Sequence, residues 1–227
     1  LQHNAINKQK QLIINSINRI PMKHLILALA LSWGSLSVFG QQAQRSPLAK
    51  DLQIKIALQA APADQRAGAK VLGYNEKGEF VTLQEGTASN NLICLAPDYK
   101  LSVLYAYAYP KSLDPFMARG RELIAEGKRK QRDEIREAEH KAGKLTIPQG
   151  PTILYGYWGP LDKLDNSTGE IEGAQRRYVI YVPYAKAADI GLSSKPGVPG
   201  IPWLMDEGSY KAHIMINPEN MGHSHGK

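Results

Sequence analysis

Between residues 69 and 97, AKVLGYNEKGEFVTLQEGTASNNLICLAP, three short apolar runs follow one another with turn-forming residues between them. Runs of this length bounded by Gly, Asn and Ser are too short for buried helices and suit strands. The runs at 71–74 and 80–83 are joined by Asn75, Glu76, Lys77 and Gly78. Asn tolerates, and Gly freely adopts, the positive φ of a tight reversal, so the two runs predict a hairpin. The third run, 92–95, predicts the next strand, and 69–97 becomes the nucleus of a sheet.

On either side the same periodicities extend the sheet. Leu52, Ile54, Ile56 and Leu58 alternate with Gln53, Lys55, Ala57 and Gln59, which predicts a strand with one wet face. Residues 61–66 predict a single helical turn. In 101–109, LSVLYAYAY, Val103, Tyr105, Tyr107 and Tyr109 share one face and Leu104, Ala106 and Ala108 the other. The first face needs depth, and the second permits close approach by whatever covers it. Further strands are predicted at 152–158, 177–183 and 212–216, with a short helix at 185–191. The segment 195–202, KPGVPGIP, predicts a stiff loop that holds Trp203 in place.

Asp114 followed by Pro115 predicts a helix start, because proline at the first helical position loses no hydrogen bond. Phe116, Met117, Leu123 and Ile124 give its first turns an apolar stripe. Beyond Gly127, opposite charges four apart, Glu126 with Lys130 through Glu137 with Lys141, predict a solvated continuation ending near Gly143. The expected fold class is α+β: a mainly antiparallel sheet packed by the first part of one long, partly solvated helix.

The ends add a location. Residues 1–21 read as an upstream extension, 22–40 (MKHLILALALSWGSLSVFG) as a secretory signal peptide, and 41–50 as a polar leader. The single α+β domain is expected at 51–217 and a His/Met tail at 218–227. The apolar part, 25–39, is shorter than the roughly 20 residues that span a bilayer, so no membrane span is expected in the mature chain. Removal of 1–40 takes away Lys8, Lys10, Arg19 and Lys23 but no acid, and the formal charge falls from +7 to +3. No nucleic-acid partner is expected on that balance. The expected location is exported, periplasmic or extracellular. The single cysteine rules out an intramolecular disulfide there.

No phosphate loop, paired-cysteine zinc pattern, HExxH or GxSxG occurs. Three constellations remain. Cys94 is a candidate nucleophile with His213 as base and Glu85 or Asp98 orienting it, although its apolar neighbours Ile93 and Leu95 suit a small core residue. His213 and Met215, two apart on a strand, with Met221, His223 and His225 in the tail, are candidate ligands for a divalent transition metal. The third is tyrosine. All eleven lie between Tyr74 and Tyr210, against three Phe in the whole chain. A phenol needs a partner when buried, so such enrichment suits a half-open sheet face or a pocket. Tyr105, Tyr107, Tyr155, Tyr157, Tyr181 and Trp203 are its expected lining. Arg119 and Arg121 are candidates to reach an anionic group.

The segments VLGYNEKGEFVTLQEGT, NLICLAP, SLDPFMARGRELIAEG, YVPYAK and PWLMDEGSYKAHIMI resemble a group of uncharacterised exported bacterial proteins of unknown function, over most of 60–216. The resemblance implies an extracytoplasmic α+β domain and no activity for any residue. The expected function is non-enzymatic binding of a small ligand in a Tyr-rich pocket. The alternatives are an exported hydrolase using Cys94 and His213, and a structural or interaction domain displaying the charged helix 128–141. The partner is accordingly a small molecule or a protein.

Overall fold

The computed structural model describes residues 45–218. Eight strands form one mixed sheet in the order β2-β1-β3-β4-β5-β6-β8-β7. They are β1 (Lys70–Tyr74), β2 (Phe80–Gln84), β3 (Leu92–Leu95), β4 (Val103–Pro110), β5 (Thr152–Pro160), β6 (Gln175–Tyr181), β7 (Trp203–Met205) and β8 (His213–Ile216). Three helices accompany them: α1 (Lys50–Gln59), α2 (Asp114–Ala125) and α3 (Arg132–Lys141). All neighbouring strands are antiparallel except β1 and β3. The chain is therefore α+β, as its pattern implies. The β1–β2 hairpin closes as expected: Gly78 takes φ +77°, and Asn75 Oδ1 accepts from the backbone N–H groups of Lys77 and Glu79.

The strand expected at 52–58 is helix α1. The residues it buries most deeply are Gln53, Ile56 and Ala57, which with the cap residue Ala60 are spaced i, i+3, i+4 and i+7. The alternation of large apolar residues hides that set, because one member is polar and two are alanines. Gln53 is buried because its amide is fully used. It donates to the carbonyls of Leu48 and Tyr74 and accepts from Tyr74 N–H, docking α1 on β1. Gly73 leaves the room for it: a Cβ there would lie 2.7 Å from Gln53 Oε1.

The one long helix is two. Gly127 adopts φ +76°, Lys128 N–H donates to the Leu123 carbonyl and Gly127 N–H to that of Ile124. That left-handed glycine cap ends α2. The chain turns through 129–131, and α3 returns against α2. Arg136, only 5% exposed, lays its guanidinium 3.9 Å from the centre of the Phe116 ring. Arg119 reaches Glu139 through Nε and Nη2 at 2.7–3.0 Å, so Glu139, in the stretch expected to face solvent, joins the two helices. Asp133 accepts from Arg132, Arg136 and Lys211, which ties α3 to the β7–β8 turn.

The helices divide the sheet into two faces. On one, α1 packs with Val71, Cys94, Leu104, Ala106 and Ala108; the alanines of β4 allow the close approach expected of its small side. On the other, Phe116 and Met117 of α2 pack with Ile93, Leu95, Tyr109, Leu154, Val179 and Met215. The closing strand expected at the C-terminal end, β8, lies inside the sheet, because Trp203 opens β7, which pairs with β8 at the edge.

Candidate functional site

The register of β4, β5 and β6 sets Tyr105 opposite Trp158 and Trp158 opposite Gln175, all on the α2 side of the sheet. Paired residues share a face, so these side chains form a row across three strands. The Tyr105 and Trp158 rings stack at 6.1 Å between centres, 18° from parallel. Arg177, two residues along β6, places its guanidinium 5.2 Å from the Trp158 ring centre, a cation–π geometry. Between them, at Gly156, a Cβ would be 3.7 Å from Arg177 Cβ and 3.9 Å from Trp158 Cζ3, ordinary van der Waals contact. With Val103 and Pro160 the row lines an open depression of about 270 Å³, and Tyr105 stays 38% exposed. Chemically it is a flat aromatic shelf with a cation behind it and an amide at its rim.

The other expected lining residues do not join Tyr105 there. Tyr107 lies on the same face but is half-buried, and burial raises its phenol pKa. Tyr181 and Trp203 are also on that face, packed into the α2 core; Tyr181 meets Phe116 edge-on at 5.4 Å, and burial pushes its pKa up to about 12. Tyr155 and Tyr157 point to the opposite face. Tyr157 Oη accepts from Ile171 N–H at 2.8 Å, and Tyr155 packs edge-on against Tyr178. One pocket therefore cannot be lined by all six. Because Trp158 rather than Tyr157 faces Tyr105, the tyrosines of β5 are turned toward α1.

Cys94 and His213 are not brought together. Cys94 is fully buried on the α1 face, and desolvation raises its thiol pKa to about 12. His213 lies on β8, four strands from β3 in the sheet order and so roughly 19 Å across it at about 4.8 Å per strand. Its side chain is on the α2 face, beside Tyr181. His213 Nδ1 contacts the Lys211 carbonyl at 2.8 Å, and burial lowers its pKa. Glu85 is exposed and pairs with Lys70 at 3.6 Å. His213 and Met215 share a face as expected, but no group of three His, Cys, Asp or Glu with metal-holding geometry occurs among the described residues. Met221, His223 and His225 lie outside the described residues, as does the signal segment. Arg119 and Arg121 reach acids of their own chain: Arg121 pairs with Asp114 at 3.2 Å and donates to Tyr109 Oη.

At the Thr152 end of β5 a second, larger concavity of about 480 Å³ lies between 147–151 and 182–185, with His140 in its wall. Neither His140 nor Tyr184 stands out in the sequence. Ala185 N–H donates to the Val182 carbonyl across Pro183 and Tyr184. Pro183 fixes its own φ near −65° and Tyr184 has φ +64°, which makes a type II turn with tyrosine where glycine is usual. Tyr184 Oη lies 2.8 Å from His140 Nε2. His140 Nδ1 is 3.1 Å from the Leu145 carbonyl, and the imidazole stacks on Tyr210 at 6.0 Å.

No protein-family model matches the chain, and no curated protein or solved structure matches it either. Among the described residues no helix is long and apolar enough to cross a membrane.

Proposed function

We propose that this chain is an exported, non-enzymatic binding domain that takes a small ring-bearing ligand, a sugar or a planar aromatic compound, on the Tyr105–Trp158 shelf. The observation that carries the reading is the stacked pair itself, 6.1 Å apart and 18° from parallel, with Tyr105 left open to solvent. Aromatic faces are most often covered in a finished core, and an uncovered, pre-ordered pair offers a C–H or π face a partner at little entropic cost. The depth and the mixed lining, Val103 and Pro160 beside Gln175, suit one ring more than an extended chain. Export rests on the 22–40 segment and on the resemblance to exported bacterial proteins.

The test is a thermal-shift screen of the chain from Gln41 to Lys227 against monosaccharides, disaccharides and small aromatic compounds. A compound present at a hundred times its dissociation constant adds about 2.7 kcal/mol to the native state, and the midpoint rises accordingly. Tyr105→Ala should weaken that compound roughly tenfold, the worth of about one stacking contact. A panel that moves nothing, or a hit that Tyr105→Ala binds as well as the parent, removes the shelf as the binding surface.

A further inference from the structure

The Tyr184 turn is held in a conformation that its residue disfavours. A non-glycine side chain in the left-handed region carries a steric penalty, and position i+2 of a type II turn is ordinarily glycine or asparagine. Backbone strain of this kind persists where surrounding contacts fix it and gathers at functional sites. Here the surroundings fix it twice: Tyr184 N–H donates to the Ser209 carbonyl, and Tyr184 Oη meets His140.

With the imidazole neutral, the hydrogen bonds fix what the phenol offers. A carbonyl can only accept, so His140 Nδ1, facing Leu145 O, carries the ring proton. In the neutral imidazole Nε2 is then an acceptor, and Tyr184 donates its hydroxyl proton to it. The lone pairs of Tyr184 Oη remain as acceptors at the wall of the concavity. Around them the lining consists of proline, aliphatic, glycine and glutamine residues, and no Asp, Glu, Lys or Arg contributes to it. Pro148, Pro151 and Pro183 stiffen both walls. The volume, about 480 Å³, lies in the range of small-molecule sites.

We infer that this groove is a second binding site, for an uncharged, largely apolar ring compound carrying a hydrogen-bond donor that Tyr184 Oη accepts. A lining without Asp, Glu, Lys or Arg gives a charged ligand little compensation for desolvation, whereas a donor on an apolar body finds an acceptor together with the proline and aliphatic side chains of the walls. The site is distinct from the shelf. Thr152, the residue after Pro151, and Trp158 are six residues apart on β5, roughly 20 Å at about 3.3 Å per residue.

Indole and 1-methylindole are the probes, because they share an apolar body and differ in the N–H donor. The full chain, labelled with ¹⁵N, is titrated with each and followed by amide chemical shifts. Indole should give saturable shifts at Gln149, Gly150, Tyr184 and Ala185, with 1-methylindole at least fivefold weaker. Tyr184→Phe keeps the ring and the backbone but lacks the oxygen, and should bind both probes alike. Three outcomes overturn the proposal: no saturable shift at those residues, equal affinity for the two probes, or discrimination that survives Tyr184→Phe. Shifts confined to Tyr105, Trp158 and Gln175 would place indole on the shelf and equally overturn the groove.

Discussion

At the Trp158 end of β5, a concave surface is assembled from strand residues, each pointed by the register of the ladder. At the Thr152 end, the concavity is assembled from connections: the 147–151 segment, the Pro183–Tyr184 turn and the end of α3. The first is open and keeps its aromatic rings flat. The second needs a tyrosine in the left-handed region and a histidine clamped between two hydrogen bonds. Regular structure thus places a shelf without local strain, while a groove between loops requires specific contacts to hold its shape. The two surfaces should accordingly respond differently to the same kinds of change.

The largest effect should come from the scaffold they share. Ala106 is fully buried where α1 meets β4, and Ala106→Leu forces extra volume into a close approach. We expect a loss of about 2–3 kcal/mol, read by urea unfolding, with both surfaces impaired together. A variant that unfolds at the parental midpoint would mean that α1 is free to move off the sheet. Next is Asp133, which supports only the groove end. Burial works against its charge, yet hydrogen bonds from Arg132 and Lys211 hold its carboxyl well below the usual range. Asp133→Ala leaves the buried Arg136 without its carboxylate and should cost about 2 kcal/mol. Amide shifts should move around His140 and stay put at Tyr105 and Trp158; equal disturbance at both ends would break the contrast.

The smallest effect is in pH. Burial lowers the His213 pKa in the folded chain, so on acidification the unfolded chain takes up the proton first, near its ordinary value of about 6.5. Stability from this group is therefore present above that value and lost as pH falls through the folded pKa. His213→Gln should flatten the decline between pH 7.5 and 5 in denaturant titrations. A decline of unchanged slope would assign it to other groups.

The legible parts of this chain are those governed by near neighbours in sequence. Asn75 and Gly78 disclose the hairpin because turn chemistry is local, and the faces of β4 follow from its period of two. Tyr105 was reachable by that route. Its partner Trp158 was not, since two helices separate β4 from β5 and only their pairing decides whether Trp158 or Tyr157 faces it. Helix α1 was hidden because Gln53, a polar residue, occupies its buried stripe on the strength of bonds to Tyr74. The break at Gly127 has a local signal, the glycine, but the charge pairs around it suggested continuity. Of those pairs Glu137–Lys141 forms, whereas Asp133 turns to Arg132, Arg136 and Lys211. The φ of Tyr184 has no signature in Pro-Tyr-Ala. It depends on Ser209 and His140, brought there by tertiary structure.

The carbonyl of Gln59, at the end of α1, accepts from Arg176 Nη1 of β6 at 2.6 Å, a bond across 117 residues of chain. The same carbonyl also meets Arg66 Nη2 at 3.5 Å, so a local and a distant arginine share it. During synthesis the Arg176 bond can form only once most of the domain has been made. Such distant closure slows folding. Until β6 has been made, the end of α1 has only local partners such as Arg66, and the Arg176 bond then fastens it to the sheet.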